Sequence, residues 1–135
     1  MQVQNYLFFD GRAEEAVEFY KKAVGAKVGM LMRNKESPDQ SMCKPGSENK
    51  VLHAHMNIGE TGVMLSDGHN TGKPNFQGFA LSIATKTEAE ADRLFNALAE
   101  GGKVTMPQSK TFFSARFGML ADKFGVNWMI LVDKP

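Results

Sequence analysis

The chain repeats one order of predicted elements, and this repetition constrains the fold more than any other feature of the sequence. Each half contains a predicted strand, then a helix, then three strands. In the first half an amphipathic helix follows Asp10-Gly11, with apolar residues three and four positions apart. In the second half Thr87 and Glu90 form a capping-box pattern before a similar apolar stripe. The pattern predicts two copies of one βαβββ module.

Matching residues support this duplication. Five residues recur in type 76 positions later, namely Phe19, Ala23, Gly25, Lys27 and Val28, which match Phe95, Ala99, Gly101, Lys103 and Val104. In the strand hairpins, Gly62-Val63 corresponds to Gly125-Val126. We therefore expect an α+β protein with a single domain over 1–135, in which module one spans 1–69, a linker spans 70–75 and module two spans 76–135.

The strands are predicted from apolar patterning. Residues 2–9 predict the first strand, and 51–58 alternate, with His53 and His55 opposite the apolar face. Residues 117–132 predict a hairpin that turns at Asp122-Lys123. The run 126–132 is almost wholly apolar, which is typical of a strand covered on both faces. Trp128 is therefore expected in the core beneath a helix.

Composition excludes several classes of partner. The chain is 42% hydrophobic and 23% charged, with a net charge of +1. It therefore lacks the strong positive field that attracts nucleic acid or an anionic membrane, and neither partner is expected. The single cysteine, Cys43, excludes an internal disulfide and favours a cytoplasmic location. The first residues do not resemble a signal peptide, and no apolar run is long enough to span a bilayer.

Residues 34–50 form a polar stretch that is too long for a routine connection. It contains Pro38, Pro45 and Gly46. Long loops of this kind are flexible or cover a functional site, so we expect this one to be mobile without ligand and to cover the cleft or a partner subunit. Cys43 lies in it without a histidine nearby in sequence, and we interpret it as an ordinary thiol rather than a nucleophile.

Four segments resemble the PhnB-like proteins of the vicinal oxygen chelate superfamily, which includes glyoxalase I, bleomycin-binding proteins and extradiol dioxygenases. They read YLFFDGRAEEAVEFYKKAVGAKV, GVMLSDG, KTFFSARFG and DKFGVNWMILV. The resemblance implies that each module is a curled mixed four-stranded sheet with a helix on its convex side, and that the protein is a homodimer. Members are often labelled 3-demethylubiquinone 3-methyltransferase. The glycine-rich strand-to-helix turn typical of adenosine-containing methyl donors does not follow any predicted strand, and the first such turn is Asp10-Gly11-Arg12.

The resemblance also implies where a metal would be held, on the first and fourth strands of each module. Those places fall near Asn5, near Met64 or Ser66, near Gln77 or Gly78, and at Met129. Divalent metals of this class prefer imidazole and carboxylate, which these places lack, so we predict no metal and no cofactor. His53 and His55 form a second candidate pair that needs a further ligand from Asp67, His69 or Cys43. The competing interpretation is a solvated polar face, with His69 exposed.

The candidate ligand site is an apolar, aromatic cleft. Its predicted residues are Tyr6, Phe8, His53, His55, Met64, Ser66, Phe113, Arg116 and Met129. Arg116 either clamps an anionic group or lies at the surface against an aromatic ring, and the methionines either line an adaptable pocket or fill the core. The leading hypothesis is a metal-free small-molecule binding protein. The alternatives are a metal-dependent lyase, isomerase or dioxygenase of glyoxalase type, and a structural partner in a larger assembly.

Overall fold

Each half of the chain folds around one helix and one sheet. The computed structural model describes residues 1–68 and 72–133. The chain divides into two compact units, Met1–Pro74 and Asn75–Pro135, and each has the element order strand, helix, strand, strand, strand. The α+β class and the duplicated module are confirmed. The single-domain arrangement and the module boundaries stay predictions, and His69 with residues 70 and 71 of the expected linker lie outside the described residues.

The first unit contains a mixed sheet in the order β1-β4-β3-β2, in which β1 is parallel to β4 and the other neighbours are antiparallel. Its elements are β1 Tyr6–Phe8, α1 Ala13–Val24, β2 Lys27–Arg33, β3 Val51–Ile58 and β4 Thr61–Ser66. The predicted apolar stripe of α1 is buried, and Gly25 ends the helix in the left-handed conformation at φ 68°. This stripe packs on the face of β3 and β4 that carries Ala54, Met56 and Leu65.

The second unit has the equivalent order β5-β8-β7-β6. Its elements are β5 Leu81–Thr85, α2 Glu88–Ala99, β6 Lys103–Ser109, β7 Phe117–Ala121 and β8 Asn127–Val132. The hydroxyl of Thr87 accepts a hydrogen bond from the Glu90 amide at 3.1 Å, which confirms the predicted start of α2. Trp128 and Ile130 are buried, as expected for the last strand.

The first strand is shorter than its sequence suggests. Residues 2–9 were expected to form it, yet only Tyr6–Phe8 pair with β4. Gln2 and Val3 are exposed, and Asn5 contributes one backbone carbonyl, to the Met64 amide. In this parallel register residues 3–5 lie opposite the first residues of β4, so strand propensity alone does not make them join the ladder even beside a strand.

The polar stretch 34–50 folds back on itself. It includes two short 3-10 turns, Asn34–Glu36 and Gln40–Met42. The backbone amides of Asn34 and Lys35 donate to the carbonyls of Lys50 and Glu48, which closes the loop at its base. The predicted mobility of this loop stays a prediction.

Neither helix in the described part of the chain has the length and apolar character that crossing a membrane requires.

Candidate functional site

The candidate site lies on the face of the first sheet that α1 does not cover. Tyr6 on β1 is paired with Met64 on β4, and Met64 is paired with His55 on β3. Paired residues share a face, and residues two apart on a strand do so as well, so Phe8 and His53 also belong to this face. Leu7 and Leu65 alternate with them and are buried beneath α1. The structure thus places five predicted ligand residues on one surface.

Three rings on this surface form what we call the aromatic strip, namely Phe8, Tyr6 and His53. The ring centroids of Phe8 and Tyr6 are 5.0 Å apart with planes at 36°, and those of Tyr6 and His53 are 5.5 Å apart at 32°. Tyr6 is 36% exposed and Phe8 is 41% exposed. These spacings are those of favourable aromatic pairs. The strip is therefore an ordered aromatic surface whose rings remain partly exposed to solvent.

A hydrogen bond fixes the strip across three strands. The Tyr6 hydroxyl lies 2.9 Å from Nδ1 of His53 and joins β1 to β3 over the intervening β4. Ser66 on β4 is paired with Phe8 on β1 and is buried. Its hydroxyl accepts a hydrogen bond from the Gly68 amide at 3.0 Å. The exposed surface is consequently formed by the aromatic strip rather than by Ser66.

His55 lies between two glycines of neighbouring strands. A Cβ added to Gly62 would come within 2.8 Å of His55 Nε2 and 2.6 Å of Gln4 Nε2. A Cβ added to Gly29 would lie 3.5 Å from His55 Nδ1. Gly62 therefore leaves the space that the imidazole and the Gln4 amide occupy, whereas a Cβ at Gly29 would make only ordinary contact. The sequence shows both glycines, but strand register is needed to place them beside His55.

The donors on this unit do not fit the metal centre that the superfamily implies. Asp67 is buried, and its Oδ1 accepts the amides of Gly11 and Ala13 while its Oδ2 accepts the amide of Val51. Nδ1 of His53 is engaged by Tyr6. Within residues 1–68 and 72–133, no three His, Cys, Asp or Glu side chains come together in a metal-binding group. His69 lies outside the described residues, and Cys43 is a partly exposed free thiol.

The remaining predicted ligand residues belong to the second unit. Met129 on β8 is half buried and is paired with Ser82 and Met119. The Phe113 ring makes edge contacts with the rings of Phe112 at 5.1 Å and Phe117 at 5.0 Å. Phe113 is 41% exposed. This unit thus presents an aromatic cluster and a methionine of its own.

Arg116 makes an ion pair that the sequence does not reveal. Its Nε donates to Asp92 Oδ1 at 2.8 Å and its Nη2 to Asp92 Oδ2 at 3.4 Å. This carboxylate, on α2, raises the pKa of the Arg116 guanidinium through hydrogen bonding and charge. The donor fork that would hold an anionic ligand is thus occupied by a helix residue. A role for Arg116 as an anion clamp stays a prediction, and it requires release from Asp92.

The sequence matches a known protein family over nearly its whole length. The family model described as 3-demethylubiquinone-9 3-methyltransferase matches residues 1–131. The chain belongs to this family. Protein YjdN of Escherichia coli, a curated relative, is 32% identical over 142 residues, which cover 99% of this chain and 97% of YjdN.

Solved structures agree with the family assignment. Protein PA1353 from Pseudomonas aeruginosa superposes with a TM-score of 0.89 at 36% identity, covering 100% of this chain and 99% of that one. A putative 3-demethylubiquinone-9 3-methyltransferase, PhnB protein, from Bacillus cereus superposes with a TM-score of 0.81 at 30% sequence identity. The match covers 98% of this chain and 99% of that one. The PhnB-like resemblance is confirmed.

A more distant structure connects the family to the expected fold. A glyoxylase/bleomycin resistance protein/dioxygenase domain from Frankia gives a TM-score of 0.69, with 99% of this chain and 93% of that one covered. Its sequence identity is 16%, so the likeness concerns the fold alone. The expected fold is confirmed.

The residues here do not fit the methyl donor that the family description suggests. At the start of α1, the amides of Gly11 and Ala13 already donate to the Asp67 carboxylate. At the start of α2, Thr87 caps the helix. Neither strand-to-helix turn is a glycine-rich loop in a doubly wound sheet, which such cofactors commonly use. We therefore derive no methyl-transfer step.

Proposed function

We propose that this chain is a small-molecule binding protein whose ligand lies on the aromatic strip and contacts His55 and Met64. The observation that carries the proposal is the ordered, half-open stacking of Phe8, Tyr6 and His53 with its Tyr6–His53 hydrogen bond. Ligand sites are mostly apolar, with a few placed polar groups that fix orientation. This surface has both components.

Physical chemistry favours a ligand at this surface. Covering apolar area contributes about 25 cal/mol per Å². The Tyr6–His53 bond holds two of the three rings in place, so a ligand would not have to order them, and less side-chain entropy would be lost on binding. Met64, on the inner strand β4, adds a side chain that adapts its shape to different ligands.

We extend the proposal to an apolar surface on the second unit. Phe113 is half exposed and Met129 half buried, and both are apolar side chains suited to a cleft. Arg116 would join them only if Asp92 released it. Ser66 would support the strip through its buried position on β4 rather than through a direct contact.

We also propose that binding occurs without a metal or cofactor. The support is the donor set, because the three hydrogen bonds to Asp67 and the engaged Nδ1 of His53 leave few ligand atoms available. Elemental analysis tests this proposal. Near-stoichiometric Zn, Mn, Fe or Ni that survives dialysis would favour the metal-dependent lyase, isomerase or dioxygenase alternative.

The binding proposal is tested by NMR with a fragment library on the full chain. The signals of the Met64 methyl and of the His53 and His55 rings should shift with binding fragments. Met56 is the matched control, because it lies on neighbouring β3 but is fully buried beneath α1. A library that leaves the Met64 and histidine signals unchanged would show that the proposal is wrong.

A homodimer in the cytoplasm is part of the proposal. Strands β2 and β6 lie at the edges of their sheets, and each carries exposed apolar side chains, including Met30 with 43% and Met106 with 44% of its surface exposed. Such edges commonly require covering. The cytoplasmic location is supported by the single cysteine. Light scattering at tens of micromolar protein should give twice the chain mass of 14.9 kDa, and a value near that single mass would contradict the dimer.

A further inference from the structure

The aromatic strip is shaped for a flat ring. The rings of Phe8, Tyr6 and His53 lie 5.0 and 5.5 Å apart with planes inclined at 36° and 32°, too close to lie side by side, so neighbouring rings partly overlap face to face. Offset stacking is favoured at centroid separations of about 4.5–7 Å, so a planar ligand can extend this series of stacked rings at the outer face of Phe8 or of His53. A saturated ring, whose faces are puckered, would make poorer contact.

The Tyr6–His53 hydrogen bond adds a polar contact whose direction can reverse. A tyrosine hydroxyl has one hydrogen, and a neutral imidazole has one N–H and one accepting nitrogen. When the Tyr6 hydroxyl donates to Nδ1, its oxygen remains an acceptor for another group. When Nδ1–H donates to that oxygen, the hydroxyl hydrogen is left to donate outward. The change requires only the other tautomer of His53 and no movement of heavy atoms.

We propose that the ligand is an aromatic molecule with an oxygen on or beside its ring, either a hydroxyl or a carbonyl, and that Tyr6 Oη binds this oxygen. This inference rests on the binding function proposed above and specifies its ligand class. A ligand hydroxyl donates to Oη, which donates to His53. A ligand carbonyl accepts from Oη, which then accepts from Nδ1–H. Each chain of hydrogen bonds is complete, and linked bonds polarise one another.

Three small probes of similar size separate the contribution of the ligand's aromatic ring from that of its hydroxyl or carbonyl oxygen. They are 4-ethylphenol with a hydroxyl, acetophenone with a carbonyl and ethylbenzene with no oxygen, each titrated into the full chain and followed at the Met64 methyl. The two oxygenated probes should bind more tightly than ethylbenzene. Tyr6→Phe retains the ring and removes the hydroxyl, so it should weaken both oxygenated probes about two- to tenfold and leave ethylbenzene unchanged. Phe8→Leu should weaken all three.

The ring nitrogens of His53 provide a second readout that a purely structural role for Tyr6 would not move. In labelled protein, 4-ethylphenol should favour the tautomer with hydrogen on Nε2, and acetophenone the tautomer with hydrogen on Nδ1. If the probes shift Met64 but Tyr6→Phe has no effect on their binding, or if both probes give one tautomer, the inference is overturned and the binding function stands. If none of the three probes shifts the Met64 or histidine signals while fragments of another class do, the inference is overturned alone.

Two further results would overturn it. If no compound of any class shifts these signals, both the ligand class and the binding function fall. If these signals shift with protein concentration, and if this self-association weakens probe binding, a second copy of the chain covers the strip. That result also overturns the inference.

Discussion

The indole N–H of Trp128 donates to Oδ2 of the buried Asp122 at 2.9 Å. The other oxygen of this carboxylate accepts the backbone amides of Phe124 and Val126 at 2.9 and 3.0 Å. The turn between β7 and β8 is thereby fixed to the side chain that fills the core beneath α2. One residue thus satisfies two turn amides and the polar atom of the largest buried side chain.

Replacing Asp122 should strongly destabilise the protein. Asp122→Ala leaves three buried donors without this acceptor, and each unsatisfied group costs about 1–3 kcal/mol. We expect the free energy of unfolding to fall by about 3–5 kcal/mol, measured by urea denaturation with Trp128 fluorescence. Glu60→Ala, at an exposed turn, is the control and should change it little. A loss below about 1 kcal/mol for Asp122→Ala would contradict this account of the turn.

Asp67→Ala should destabilise the first unit by a similar mechanism. The substitution removes the acceptor of the Gly11, Ala13 and Val51 amides, so we expect a loss of about 3–5 kcal/mol. Asp67→Asn retains one oxygen and should lose less. Hydrogen exchange at these three amides should accelerate together in the alanine variant. Unchanged protection at Ala13 would show that Asp67 does not stabilise the helix start.

Gly62→Ala should displace His55, whereas Gly29→Ala should not. The added Cβ at Gly62 would lie 2.6 Å from Gln4 Nε2 and 2.8 Å from His55 Nε2, closer than such atoms approach. At Gly29 the nearest atom would be at an ordinary 3.5 Å. The His55 ring signals should therefore shift in the first variant and remain in the second. Because the ends of the Gln4 and His55 side chains can move, Gly62→Ala should change the free energy of unfolding by less than about 1 kcal/mol. Equal shifts in the two variants would refute this geometry.

The ion pair between Glu14 and Arg33 should give a pH-dependent stability. Hydrogen bonding to Arg33 lowers the pKa of Glu14 in the folded chain. The contribution of the pair is therefore present above the unfolded pKa of Glu14 and is lost as pH falls through the lower folded pKa. Glu14→Gln should reduce the free energy of unfolding at pH 7 by no more than an ordinary surface ion pair contributes. It should have no effect at a pH where the Glu14 carboxyl is protonated in both the folded and the unfolded chain.

Thermal unfolding from pH 7 to pH 2 at low salt measures this difference, with Glu60→Gln, at an exposed turn, as the control for lost net charge. High salt should reduce the effect of Glu14→Gln at pH 7. A difference that grows as pH falls would have the wrong sign for a carboxyl with a lowered pKa.

Local pattern predicted most of the fold. The alternation that separates Ala54 and Met56 from His53 and His55 correctly assigned both faces of β3, because a strand facing one helix is buried on one side only. The two helices and the last hairpin followed from periodicity, capping and turn chemistry in the same way. The predicted start of β1 was wrong, because strand propensity at residues 2–5 does not by itself produce pairing, which begins at Tyr6 although β4 extends to Thr61.

Contacts between distant residues could not be predicted. Tyr6 and His53 were both candidates, but their hydrogen bond spans 47 residues and requires the strand order β1-β4-β3. Arg116 was considered among its aromatic neighbours in sequence, while its ion-pair partner Asp92 lies 24 residues earlier on α2. The residue type of Asp67 allows it to be a metal ligand, and only the fold shows that three backbone amides donate to its oxygens.

The position of Asp67 also affects the order of events during synthesis. Helix α1 has no side-chain cap of its own at Arg12, and its start is satisfied by a residue made 54 positions after Ala13. While the chain emerges from the ribosome, α1 is therefore complete in sequence long before its N-terminus is satisfied, and short isolated helices are marginal in water. The first unit must wait for the end of β4 before its helix becomes stable, so nascent chains that stop before Asp67 should carry an unfolded α1.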